Sequence, residues 1–142
     1  MPYVAKRILL VLVFVMLGAS TAAGGEREKV AQGRALYLRY CASCHGLTGE
    51  GDGPVARSLT TPPANLRQLS DRYGNPLPKD QIARFIDGRA DVKAHGPRDM
   101  PVWGERFYEE TGSESAVKDR IAKLVAFLQS IQTGTHHASN RE

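Results

Sequence analysis

Cys41-Ala42-Ser43-Cys44-His45 is the stretch on which the reading of this chain turns, and its two thiols are the only cysteines in 142 residues. Two cysteines separated by two residues and followed at once by a histidine form the C-x-x-C-H pattern of covalent haem attachment. The chemistry explains the spacing. Each thiol adds to one of two neighbouring vinyl groups, and two intervening residues let the backbone reach both from one edge of the ring. The histidine directly after the second cysteine then lies beneath the ring as the proximal iron ligand. Other uses of a C-x-x-C need partners this sequence lacks. A thioredoxin-type dithiol needs a βαβ setting. A zinc site needs four placed ligands, and there is no second C-x-x-C or H-x-x-x-H.

Toward the N-terminus, Lys6 and Arg7 precede an unbroken apolar run, Ile8 to Leu17, and the small residues Gly18 to Ala23. This is the layout of an export signal over residues 1–23. The alternative is a retained membrane anchor. The ten-residue apolar core is short of the roughly 20 residues a span needs, but counting small residues through Gly25 lengthens it to 18. Either way the expected location is periplasmic or otherwise extracytoplasmic, with membrane attachment only if the segment is kept. Free thiols three positions apart would oxidise there, unless a prosthetic group occupies them.

Setting aside Lys6 and Arg7 leaves 17 Lys plus Arg against 15 Asp plus Glu, a net of +2. Two ionised haem propionates bring that near zero, so the sequence pI of 9.3 overstates the basicity. No basic run interleaved with aromatics is present, which argues against nucleic acid as a partner.

Residues 24–134 read as one all-α domain. Val30, Ala31, Ala35, Leu36, Tyr37 and Tyr40 give a helical stripe over Glu26 to Tyr40, interrupted by Gly33, which costs about 1 kcal/mol against Ala and suggests close approach by another element. From Cys41 to Leu77 glycine and proline punctuate the chain, with a turn at Val55 to Leu59. A loop of that length needs a core to wrap, and a flat apolar ring supplies one. Pro78, at the first helical position, to Asp87 reads as a short helix stopped by Gly88. Arg89 to Tyr108 reads as irregular. Thr111 to about Gln132 is a helix on the repeat of Val117, Ile121, Leu124, Val125, Leu128 and Ile131, with Thr111 and Glu114 at capping-box spacing. Residues 135–142 read as a polar, frayed tail. About three main helices and long loops around one covalent haem is therefore the expected architecture.

A haem on His45 alone leaves a sixth position. Beyond residue 24 the chain has one methionine, Met100, in a proline-bounded stretch that also carries His95. A thioether is a weak donor that favours ferrous iron, so His/Met ligation raises the potential and suits electron transfer. His95 is the rival ligand and would lower the potential instead. Met100 as a mere core filler is the third option.

At these residues the chain resembles the class I c-type cytochromes. Gly33 and Tyr37 resemble the family's N-terminal-helix pair, and Leu124, Phe127 and Leu128 the C-terminal helix that crosses it. Cys41, Cys44 and His45 match the haem motif, and Met100-Pro101 the axial methionine. Gly51-Asp52-Gly53-Pro54 resembles the segment that follows the motif in many bacterial members, and Pro63-Ala64-Asn65-Leu66 the stretch that lines the haem. By that analogy the Pro54 carbonyl accepts the second ring N–H of His45, while Leu66 and Trp103 surround the haem. Trp103 and Tyr73 pack on the ring, bond a propionate or serve as ordinary core aromatics, and Arg67, Arg72 and Arg98 are propionate partners or solvated surface groups.

The resemblance implies an electron carrier acting by outer-sphere transfer, with weak, transient docking to a redox donor and acceptor. One alternative is a cytochrome subunit of a larger periplasmic or membrane oxidoreductase. Another is an open-site haem sensor or enzyme, if Met100 does not ligate.

Overall fold

A computed structural model describes residues 24–90 and 100–133. The expected export segment 1–23, the tail 135–142, His95 and Arg98 lie outside the described residues. Helical periodicity without strand alternation yields helices only: six α-helices and no strand among the described residues. They are α1 (24–40), α2 (Ala42–His45), α3 (Leu69–Tyr73), α4 (Lys79–Asp87), α5 (Trp103–Thr111) and α6 (Glu114–Ser130), with 3₁₀ turns at Ala56–Ser58 and Leu66–Gln68. No described helix is long and apolar enough to cross a membrane.

The core forms around α6, whose Val117, Ile121, Leu124, Val125 and Leu128 are buried. Helix α1 meets it at Gly33. A Cβ there would run into the Lys123 backbone carbonyl and stand 2.9 Å from Phe127 Cβ, so the glycine read as a helix weakness is what lets the two helices touch. One turn on, Tyr37 is fully buried, its ring centroid 5.0 Å from that of Phe127. Its hydroxyl donates to the Gly46 carbonyl at 2.6 Å, as a buried phenol requires. Burial, with Cys41 and Asp52 adding to it, pushes the Tyr37 phenol up to about 12. Helix α4 adds Ile82 and Ile86 to the core, and α5 adds Phe107; fully burying such a side chain contributes about 1.5–3 kcal/mol.

Three sequence readings are corrected. The stretch expected to be irregular contains α5. Its apolar signal is only Trp103 and Phe107, one turn apart among charged residues, too narrow a stripe to read without knowing what it packs on. Thr111 does not open the last helix: it closes α5, its Oγ1 donating to the Phe107 carbonyl at 2.7 Å. Ser113 is the cap of α6, accepting from the Ala116 N–H at 3.4 Å. Pro78 sits at the cap position of α4 rather than the first helical one.

The glycine- and proline-rich stretch is pinned by long-range bonds. Gly51 N donates to His45 O at 2.9 Å, Leu66 N to Gly49 O at 2.7 Å and Thr133 N to Arg67 O at 2.9 Å. Gln132, just past α6, donates to the Leu66 carbonyl at 2.8 Å and accepts from Ser70 N at 2.9 Å. The long loop is thus clamped to the end of α6 and walls one side of the interior.

Candidate functional site

The C-x-x-C-H segment leaves α1 through a turn in which the Cys41 N–H donates to the Tyr37 carbonyl at 2.8 Å and the His45 N–H to the Cys41 carbonyl at 2.9 Å. Helix α2 is this single turn, and it turns both thiols and the imidazole to the same side. Beside it lie two cavities, of about 420 Å³ and about 220 Å³. Cys41, His45, Ala64 and Met100 line both. Cys44, Tyr40, Pro101 and Trp103 border the larger, while Leu66, Leu69, Tyr73, Ile82 and Leu128 border the smaller. The linings are mostly apolar, the setting expected of a cofactor site with a few placed polar groups.

The two cysteines are not joined to each other. Burial, reinforced by the neighbouring Cys44, pushes the Cys41 thiol up to about 12, so it faces the cavity as a neutral thiol. A reactive or zinc-binding cysteine is a depressed-pKa thiolate instead. Burial also pushes the His45 imidazole below its usual value, and a backbone hydrogen bond at Ala64 offsets this in part. The imidazole is therefore neutral near pH 7. His45 Nδ1 lies 3.0 Å from the Ala64 carbonyl oxygen. A carbonyl only accepts, so Nδ1 carries the proton and Nε2 keeps its lone pair.

That bond corrects one expectation. Ala64, not Pro54, orients the imidazole, and Pro54 lines neither cavity. The Gly51–Pro54 turn instead backs the motif: Gly53 N donates to Cys44 O at 3.1 Å, and a Cβ on Gly53 would stand 2.6 Å from that oxygen. Leu66 borders the smaller cavity and Trp103 the larger, and Met100 is brought to the same space as His45 across 55 residues of chain. Trp103 belongs to an aromatic group, its ring 5.5 Å from Tyr40 and 5.8 Å from Phe107. The arginines separate. Arg67 pairs with Glu50 at 3.4 Å, away from the cavities, whereas Arg72 lines the larger one, its guanidinium 5.5 Å from the Tyr73 ring.

Sequence reasoning did not single out Ala64's carbonyl or Tyr40. The carbonyl leaves no trace in residue identity. Tyr40 had one signal, its place directly before Cys41; its hydroxyl donates to Glu110 at 2.7 Å.

The residues present fit a haem: two thiols for thioethers, a neutral imidazole, a methionine sulfur and apolar walls share one interior. An all-α chain with this motif at the mouth of such a space is a c-type cytochrome, an electron-transfer haem protein. The model of the family described as "Cytochrome C oxidase, cbb3-type, subunit III" matches residues 28–128, and the chain belongs to that family, which implies covalently bound haem c. Among curated relatives, the "Cbb3-type cytochrome c oxidase subunit CcoP" of Azospirillum sp. (strain B510) is 31% identical over 93 residues, 65% of this chain and 28% of that protein. The chain therefore spans little more than a quarter of the relative it matches. No solved structure matches the chain.

Proposed function

We propose that this chain is a single-haem electron relay of an extracytoplasmic oxidoreductase, in which Cys41 and Cys44 would hold the haem through thioethers and His45 and Met100 would ligate its iron. The observation that carries the reading is that Cys41, His45 and Met100 border the same two cavities. Two cysteines in the sequence supply thioethers for one haem. When bound, that group would supply one-electron exchange with a partner.

The chain's own residues do the rest. The neutral His45 offers Nε2 while Nδ1 is held by Ala64, which fixes ring orientation and raises ligand basicity. The apolar walls from α4 and α6 exclude water from one side of the interior. The half-buried Cys44 and the exposed Leu47 after the motif leave the attachment edge close to solvent, where a partner can approach.

Membership of an oxidase-subunit family favours a relay within an assembly over a free carrier. The signal-like residues 1–23 support a place outside the cytoplasmic membrane, attached to it if they are retained.

Absorption spectra of the purified protein, oxidised and reduced, test the haem and its ligands together. A ferric far-red thioether charge-transfer band, lost in Met100→Ala, supports His/Met ligation. Rapid carbon monoxide binding by the unmodified ferrous protein supports the open-site alternative, and a colourless folded protein from haem-maturing cells overturns the reading. Stable copurification with oxidoreductase subunits separates a relay from a free carrier.

A further inference from the structure

Arg89 and Gly104, which flank Met100 in the sequence, meet in one ion-pair cluster. Arg89, just past α4, places Nε 2.7 Å from Asp87 Oδ1 and its second terminal nitrogen 2.9 Å from Asp87 Oδ2. The same guanidinium reaches α6, with bonds of 2.7 and 3.1 Å to the two Glu114 oxygens. A planar fork satisfied bidentately on two carboxylates is the geometry in which arginine cannot be replaced by a point charge.

The cluster also touches α5. Gly104, in its first turn, lies directly on it: a Cβ there would collide with Asp87 Oδ1 and stand 2.6 Å from Arg89 Nε. The end of α4, the start of α5 and the start of α6 therefore meet at Arg89. Met100 lies between these fixed points, 11 residues after Arg89 and four before Gly104.

We propose that Arg89 is the positioning residue for Met100: by clamping α4 to α5 and α6 it raises the effective concentration of the methionine sulfur at the iron. This rests on the His45/Met100 reading above. A thioether is a weak ligand, so its occupancy depends on how tightly the chain confines it, as for any tethered binding group. An outside ligand must displace Met100 before it binds, so its apparent affinity varies inversely with the closure constant of the methionine. Loosening the clamp tenfold raises that affinity tenfold, although Arg89 touches neither cavity.

The test uses the full haem-loaded protein and imidazole as the probe. Arg89→Gln is expected to keep both thioethers, to weaken the ferric far-red band and to bind imidazole about tenfold more tightly. Arg89→Lys should lie between, and Glu114→Gln, which removes one arm, should move the same way by less. Urea midpoints recorded in parallel separate positioning from general weakening, since a purely structural role lowers the midpoint and leaves imidazole affinity unchanged. Wild-type affinity and band in both Arg89→Gln and Glu114→Gln overturn the proposal while leaving the ligation reading intact. Absence of the band in the unmodified protein overturns both.

Discussion

His45 and Ala64 are joined by a 3.0 Å hydrogen bond from imidazole Nδ1 to a backbone carbonyl, across 19 residues of loop. A side chain in a one-turn helix is thus oriented by a peptide group of the loop that borders the same cavities. The carbonyl's position depends on its neighbours, because Asn65 accepts from the Arg67 N–H at 3.0 Å and so caps the Leu66–Gln68 turn.

Replacing Asn65 by Ala should therefore act at a distance. Loss of the cap is expected to cost about 1 kcal/mol of stability. A loosened Ala64 carbonyl makes the imidazole a weaker electron donor, which disfavours ferric iron, so the reduction potential should rise. A urea titration and a spectroelectrochemical titration check the two parts; a potential that stays put would show that the bond does not tune the ligand.

Gly33→Ala sets helix propensity against packing. Alanine is favoured by about 1 kcal/mol inside a helix. Here the new methyl would enter the Lys123 carbonyl of α6, a backbone atom that cannot swing aside, and overpacking costs about 1–3 kcal/mol. A net loss of stability is expected, growing with Gly33→Val, as measured by the midpoint of denaturant unfolding of the holoprotein. A more stable Gly33→Ala would mean that α1 and α6 do not touch there.

Acid sensitivity should trace in part to Asp87. Hydrogen bonds from Arg89, the largest cause, hold its carboxyl below the usual range, against a smaller upward push from burial. The native state then binds fewer protons than the unfolded one, so stability rises with pH across the gap between the two values. The contribution is complete above the ordinary carboxylate value of about 3.9 and is lost as pH falls through the depressed one. Because the pair is partly solvated it should amount to less than about 1 kcal/mol. Unfolding midpoints between pH 6 and pH 3 should fall less steeply in Asp87→Asn than in the unmodified protein.

Among the described residues, Arg72 is the one arginine bordering either cavity. A cation beside the haem disfavours the ferric state, so Arg72→Gln should lower the reduction potential, on the order of tens of millivolts for a partly exposed charge. Covalent attachment should be unaffected. The same potential at low and high ionic strength in both proteins would place Arg72 outside the field of the iron.

The haem motif and the apolar repeat of α6 were legible because each is a local pattern: fixed spacing on a turn, or residues returning to one face every three or four positions; the pairing of Gly33 with Tyr37 came instead from the resemblance to class I c-type cytochromes. Met100 was singled out for a different reason, as the one methionine beyond residue 24 in a chain already argued to hold iron. Helix α5 was not, since two aromatics among charges define a face only once α6 and Tyr40 are there to receive them. Nor was the cap of α6, where Thr111 has the capping-box spacing to Glu114 and Ser113 does not, yet the end of α5 at Thr111 leaves the cap to Ser113.

The sequence alone determined the class of chemistry, because thiols two residues apart with a histidine beside them need no distant partner to define what they can bond. Tertiary structure decided which groups tune that chemistry. Ala64 rather than Pro54 faces the imidazole, Arg72 rather than Arg67 reaches the interior, and Arg89 joins carboxylates on two helices, 2 and 25 residues away. Such pairings are set by how loops close over the core, and loop closure depends on the packing of the whole chain rather than on the identity of any residue in it.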